Sequence, residues 1–175
     1  MKKETKKILS IFLRYLIIVL VSMPNLTLFY TIFSFLTIYP VYFLLSLFFH
    51  TAITGNLITI NTISIKLVEA CIAGSAYFLL LLLNFSLPLE TRKRIYSLLF
   101  SFAIFLAINI LRIFIFSIML VYSFKYFDIT HLIFWYVLSG ILVFLVWIIT
   151  IKTFKIKGIP FYTDIKYIIS KIKKG

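Results

Sequence analysis

One cysteine, two histidines, five glycines and five acidic residues are a sparse supply of chemistry for a chain of 175 residues. A lone cysteine cannot form an intramolecular disulfide, so Cys71 is either a small buried hydrophobe or a thiol with a task. The scattered acids, the thiol and the histidines show no metal-ligand spacing, and no glycine-rich phosphate loop is present, so neither a metal nor a cofactor is expected. Charge is scarce too: 13% of residues are charged, against about 25% in an average soluble domain. That excludes a single-domain soluble enzyme and a disordered or collagen-like chain.

Apolar surface is what the chain has in excess, with 63% hydrophobic residues, 19% aromatic residues and a mean hydropathy of +1.12. The composition indicates an all-α polytopic membrane protein forming one domain over residues 1–175. A helix needs about 20 apolar residues to cross a hydrocarbon core of ~30 Å. Leu26–Phe49, Ala70–Leu87 and Leu132–Ile151 are uncharged, and Ile95–Tyr122 carries only Arg112, so four crossings are expected. Ile8–Met23 is a shorter apolar run with Arg14 near its middle.

The net charge of +13 does not lie along one face as in a nucleic-acid binder. Fifteen of the 18 basic residues fall in three segments: the N-terminus with Arg14, the Arg92-Lys93-Arg94 connection, and the tail 152–175. Such clusters mark the cytoplasmic side. The near-neutral connections His50–Glu69 and Ser123–His131 are then extracytoplasmic. With the N-terminus inside, residues 8–49 must cross an odd number of times, and 42 residues are too few for three crossings. Ile8–Met23 is therefore read as an interfacial helix whose Arg14 reaches headgroups, a fifth crossing being the alternative.

Two segments depart from the transmembrane pattern. In Gly55–Val68, Ile58, Ile60, Ile63, Ile65 and Leu67 alternate with polar residues at period two, so an outer β-hairpin turning at Asn61-Thr62 is expected. Beyond Pro160, Ile165, Ile168, Ile169 and Ile172 return at helical spacing opposite lysines, as in an amphipathic helix on the anionic inner surface.

Three reactive residues share one depth. Cys71 and His131 stand at the outer ends of their helices. Arg112 lies 17 residues beyond Ile95, about 25 Å along the helix at 1.5 Å per residue. Alone, a cysteine is usually a packing residue and a histidine near a loop an interfacial one, as His50 is expected to be. An arginine within a span costs a few kcal/mol and generally faces a cavity or a partner. Together the three suit acyl transfer: a thiolate nucleophile, an imidazole that moves the proton, and a guanidinium that stabilises an oxyanion.

Val68-Glu69-Ala70-Cys71 after a β-rich outer segment, Asn109-x-x-Arg112, and His131 at the head of the next helix resemble the exosortase/archaeosortase family of integral-membrane cysteine transpeptidases. The resemblance covers roughly residues 40–151 and leans toward the archaeal branch. It implies that Cys71 is the nucleophile, His131 the general base and acid, and Arg112 the stabiliser of the substrate carbonyl. By its spacing, Asn109, one turn before Arg112, is a candidate to hold the guanidinium, a helix-packing amide being the alternative. Glu69 and Asp128 are candidates to orient His131, an exposed interfacial acid being the alternative for Glu69. The implied substrates are surface proteins with a C-terminal sorting signal, cut on the extracytoplasmic side and passed to a membrane lipid acceptor. The family commonly has Ser or Thr and then Gly after the cysteine, whereas this chain reads Cys71-Ile72-Ala73-Gly74-Ser75. From another class, the alternative is a small membrane binding or transport subunit with Arg112 facing an anionic ligand and Cys71 structural.

Overall fold

Long apolar runs leave the backbone few partners but itself, and most of this chain is accordingly helical. The computed structural model describes residues 3–23, 26–158 and 160–172; Lys2, Lys173 and Lys174 of the basic termini lie outside the described residues. Helices α1 (Lys3–Ser22) and α2 (Thr27–Ser46) lead into strands β1 (Thr51–Thr54), β2 (Leu57–Ile60) and β3 (Ile63–Lys66). A single-turn helix, α3 (Glu69–Ile72), precedes α4 (Gly74–Phe85) and the long α5 (Thr91–Val121). Helix α6 (Phe127–Ile133), a π-helical turn (Phe134–Leu138) and α7 (Ser139–Thr153) run on as one rod, and α8 (Tyr162–Ile172) follows.

Three helices are long and apolar enough to cross a membrane: Thr27–Ser46, Thr91–Val121 and the rod Phe127–Thr153. The expected crossing Ala70–Leu87 is not one continuous helix. Ala73 adopts a left-handed φ of 58° and divides it into α3 and α4, so Glu69–Phe85 is a shorter apolar segment, as is Ile8–Ser22. The last span also begins earlier than expected, because Phe127–His131 are already helical and His131 lies inside α6 rather than at its start.

The outer segment is a three-stranded antiparallel meander in the order β1-β2-β3, not a two-stranded hairpin. The Asn61-Thr62 turn falls where the period-two pattern puts it, with Ile60 opposite Ile63 and Asn61 at φ 54°. The additional strand, Thr51–Thr54, pairs with β2 across Gly55-Asn56, where Gly55 takes φ 61°. Four residues with one isoleucine are too short a run to separate from the helix before them.

The helices meet along a repeated stripe. On α5, Ser97, Ser101, Phe105, Asn109, Ile113 and Ser117 recur every fourth residue and all are buried. Small residues at this spacing let helix backbones approach closely. Across the stripe, Asn84 Nδ2 of α4 donates to Ser97 Oγ at 2.7 Å. An aromatic cluster fills the centre: Tyr77, fully buried, stacks on Phe33 of α2 and meets Phe105 edge-on with centroids 5.0 Å apart.

At the opposite end from the sheet-linked α3, Arg14 does not reach outward as expected. It is 7% exposed, pairs with Asp164 of α8 at 3.0 Å, and donates to the carbonyls of Leu87 (2.8 Å) and Phe85 (3.2 Å). Those carbonyls end α4, where helical partners run out. Arg94 adds a second donor to the Leu87 carbonyl at 3.0 Å. The tail helix is thereby tied to the bundle through Asp164, and Tyr162, Ile165 and Ile169 are left exposed on its other face.

Candidate active site

The break at Ala73 creates the polar centre of the molecule. A helix that ends after Ile72 leaves the Cys71 and Ile72 carbonyls without the next-turn amides that would pair with them. Asn109 Nδ2 of α5 donates to the Cys71 carbonyl at 3.0 Å and approaches the Ile72 carbonyl at 3.5 Å. Arg112 Nη2, one turn further along α5, also reaches the Cys71 carbonyl, at 3.5 Å. Asn109 therefore holds the backbone of Cys71 and Ile72 rather than the guanidinium, which corrects the expectation for that residue.

The guanidinium is held from the other side. Arg112 Nη1 donates to Ser139 Oγ at 3.0 Å, and Ser139 Oγ in turn donates to the Phe134 carbonyl at 2.8 Å. Phe134 opens the π-helical turn, whose widened backbone leaves its carbonyl in reach of the Ser139 side chain. Ser139 carried no visible signal; a serine before Gly140 in an apolar run reads only as a weak point in a helix.

Next to Ala73, Gly74 starts α4 under the ring of Tyr30. A Cβ at position 74 would stand 2.7 Å from Tyr30 Cε1, so only glycine lets α2 and α4 approach this closely. Together these elements enclose a cavity of about 830 Å³, lined among others by Tyr30, Cys71, Ser75, Arg112, His131 and Ser139. Cys71, Arg112 and His131 thus come from α3, α5 and α6 to one cavity. Cys71 and His131 are half-buried, and Glu69 is exposed at the cavity's edge.

His131 sits among aromatic rings. It lies parallel to Phe127 at 5.6 Å and edge-on to Phe116 at 5.3 Å and Trp135 at 5.9 Å. Among the described residues no hydrogen bond joins the imidazole to Glu69 or Asp128, so ring packing sets its orientation. His50 belongs elsewhere, lining a separate hollow of about 440 Å³ with Phe48 and Asn61. Among the described residues, no three His, Cys, Asp or Glu side chains gather where a metal ion could bind.

Fold and site together define a helical bundle, with three helices able to cross a membrane, enclosing a cavity that joins a thiol, a guanidinium and an imidazole. No family model, curated protein or solved structure matches this chain.

Proposed function

We propose that this chain is a membrane-embedded cysteine transpeptidase of the exosortase/archaeosortase type. The observation that carries the reading is that Cys71, Arg112 and His131, separated by 41 and 19 residues in sequence, line one cavity. Helix α4 adds to it. Its N-cap Ala73 and first-turn residues Ser75 and Ala76 line the same cavity, and the positive end of a helix favours a thiolate. The left-handed backbone at Ala73 also supports the resemblance, because that position is the one where the family commonly has glycine.

In this reading the imidazole of His131 takes the proton from Cys71 Sγ, and the thiolate attacks a peptide carbonyl of the substrate. Arg112 stabilises the oxyanion of the tetrahedral intermediate in a site poor in water. The C–N bond breaks, the imidazolium gives its proton to the departing amine, and a thioester to Cys71 remains. A nucleophilic group on a membrane lipid then attacks the thioester and releases the thiol. The substrate is a surface protein with a C-terminal sorting signal, cut on the extracytoplasmic side. In this arrangement Glu69–Phe85 completes a fourth crossing, and the basic connection Arg92–Arg94 and the lysine-rich tail face the cytoplasm.

The test compares the C-termini of cell-surface proteins, by mass spectrometry, between cells with wild-type protein and cells with Cys71→Ala. At least one surface protein should keep its C-terminal helix only in the mutant. Unchanged C-termini at equal membrane levels of both variants would remove Cys71 as nucleophile. A binding subunit with Arg112 facing an anionic ligand would then be the reading to pursue.

A further inference from the structure

One wall of the cavity is not a helix but an extended backbone. Ile65, Lys66, Leu67 and Val68 line it and run directly into Glu69-Ala70-Cys71. β3 is one of the two edge strands of the meander, paired on one side only. Its register states which groups are spoken for. Across the two-residue turn Ile60 faces Ile63 and Ile58 faces Ile65, and Leu67 N–H donates to the Asn56 carbonyl at 2.8 Å. In an antiparallel pair, hydrogen-bonded positions alternate. Residues 63, 65 and 67 therefore spend their backbone groups on β2, and the N–H and C=O of Ser64 and Lys66 point to the open edge. Both residues are exposed.

An open edge of this kind takes an extended chain as an added strand, with the main chain supplying affinity and alternate side chains entering pockets. We propose that the cavity binds its peptide by strand addition to β3. The outward backbone groups of Ser64 and Lys66 align an extended polypeptide that leads past Val68 to the Cys71 thiol. This rests on the reading of Cys71 as the acyl-transfer nucleophile and names how the substrate is held. Continuity decides for a peptide over another occupant: the edge and the reactive cysteine are five residues apart on one uninterrupted segment, Lys66–Cys71, which lines the same cavity throughout. A strand advances about 3.3 Å per residue, so roughly two residues of paired peptide span Lys66–Val68 before the chain meets the turn of α3.

The test uses alkylation of Cys71 in the purified full chain, which requires no turnover. Two probes are compared by intact mass: iodoacetamide, and acetyl-Val-Thr-Val-Thr chloromethyl ketone, from which Cys71 Sγ displaces chloride to leave a thioether. A third probe is the same peptide N-methylated at alternate residues, which cannot pair with an edge. The peptide ketone should alkylate at least about tenfold faster than its N-methylated form, the effect of one or two net hydrogen bonds. Ser64→Pro and Lys66→Pro each remove one outward N–H and leave the bonds to β2 in place. Each should bring the peptide-to-iodoacetamide rate ratio down to that of the N-methylated probe. Equal rates for the two peptides, or ratios indifferent to both prolines, overturn strand addition while leaving the transpeptidase reading to its own mass-spectrometric test. Absence of alkylation by every probe overturns both.

Discussion

Asn109 Nδ2 donates to the backbone carbonyl of Cys71 at 3.0 Å, so the residue thirty-eight positions downstream of the cysteine holds it by its main chain and not by its thiol. The bond closes the frayed end of α3 and leaves Sγ uncommitted. A free thiol and an ordered backbone are thereby compatible at one residue.

Asn109→Leu removes that donor and leaves the Cys71 and Ile72 carbonyls short of a partner in a buried place. Loss of a buried hydrogen-bond partner costs about 1–3 kcal/mol. A lower midpoint in thermal unfolding of the detergent-solubilised protein should record it, together with a changed rate of Cys71 alkylation. An unaltered midpoint would show that the α3 break holds itself.

At the break, Ala73→Gly and Gly74→Ala should act in opposite directions. A left-handed backbone costs an alanine about 1–2 kcal/mol, and glycine returns part of this as unfolded-state entropy, so Ala73→Gly should stabilise by roughly 0.5–1 kcal/mol. Gly74→Ala places a Cβ against the Tyr30 ring at 2.7 Å and should destabilise by about 1–3 kcal/mol. Adding Tyr30→Leu to Gly74→Ala should recover much of the loss. Unfolding midpoints of the two single variants and the pair form the double-mutant cycle that checks this.

Arg14→Met strands Asp164 in a buried position, since the pair is 8% and 4% exposed at its side chains. Breaking one partner of a buried pair typically costs about 3–5 kcal/mol, whereas replacing both with apolar residues is often close to neutral. The single variant should thus unfold far more easily than the double variant Arg14→Met/Asp164→Leu. Limited proteolysis after Thr153 should release the tail in the single variant first. Equal stability of the single and double variants would mean that the ion pair does not hold α8.

For the proposed acyl transfer, Arg112→Ala should lower substrate processing by about 10²–10³-fold, the loss expected when one oxyanion donor goes. Ser139→Ala should lower it less, about 5–10-fold, since the guanidinium loses one restraint worth roughly 1 kcal/mol. Arg112→Lys keeps the charge but not the planar fork that spans Ser139 and the Cys71 carbonyl, and should resemble Arg112→Ala more than wild type. Pulse-chase processing of the surface protein identified by mass spectrometry, at matched membrane levels, provides the measurement. Wild-type processing by Arg112→Ala would remove the arginine from the chemistry.

Uninterrupted hydropathy set out long helices over 26–49, 95–122 and 132–151, which the structure bounds at Thr27–Ser46, Thr91–Val121 and Phe127–Thr153, and alternation of isoleucines with polar residues set out β2, β3 and their Asn61-Thr62 turn. These are local properties: a run of apolar side chains or a period of two is complete in the segment that bears it. That Cys71, Arg112 and His131 line one cavity was also approachable from sequence, because helical rise converts position in a span into height. What sequence alone left open was everything that depends on a neighbour. The left-handed turn at Ala73 breaks an apolar run with no Pro to mark it, and it is held by donors from α5. The π-helical turn at Phe134 is held by Ser139, and Arg14 is buried because Asp164, 150 residues away, closes over it. Charge and periodicity assign residues to spans and faces; only packing brings a partner close enough to decide whether a buried polar group is satisfied, and so where the backbone bends.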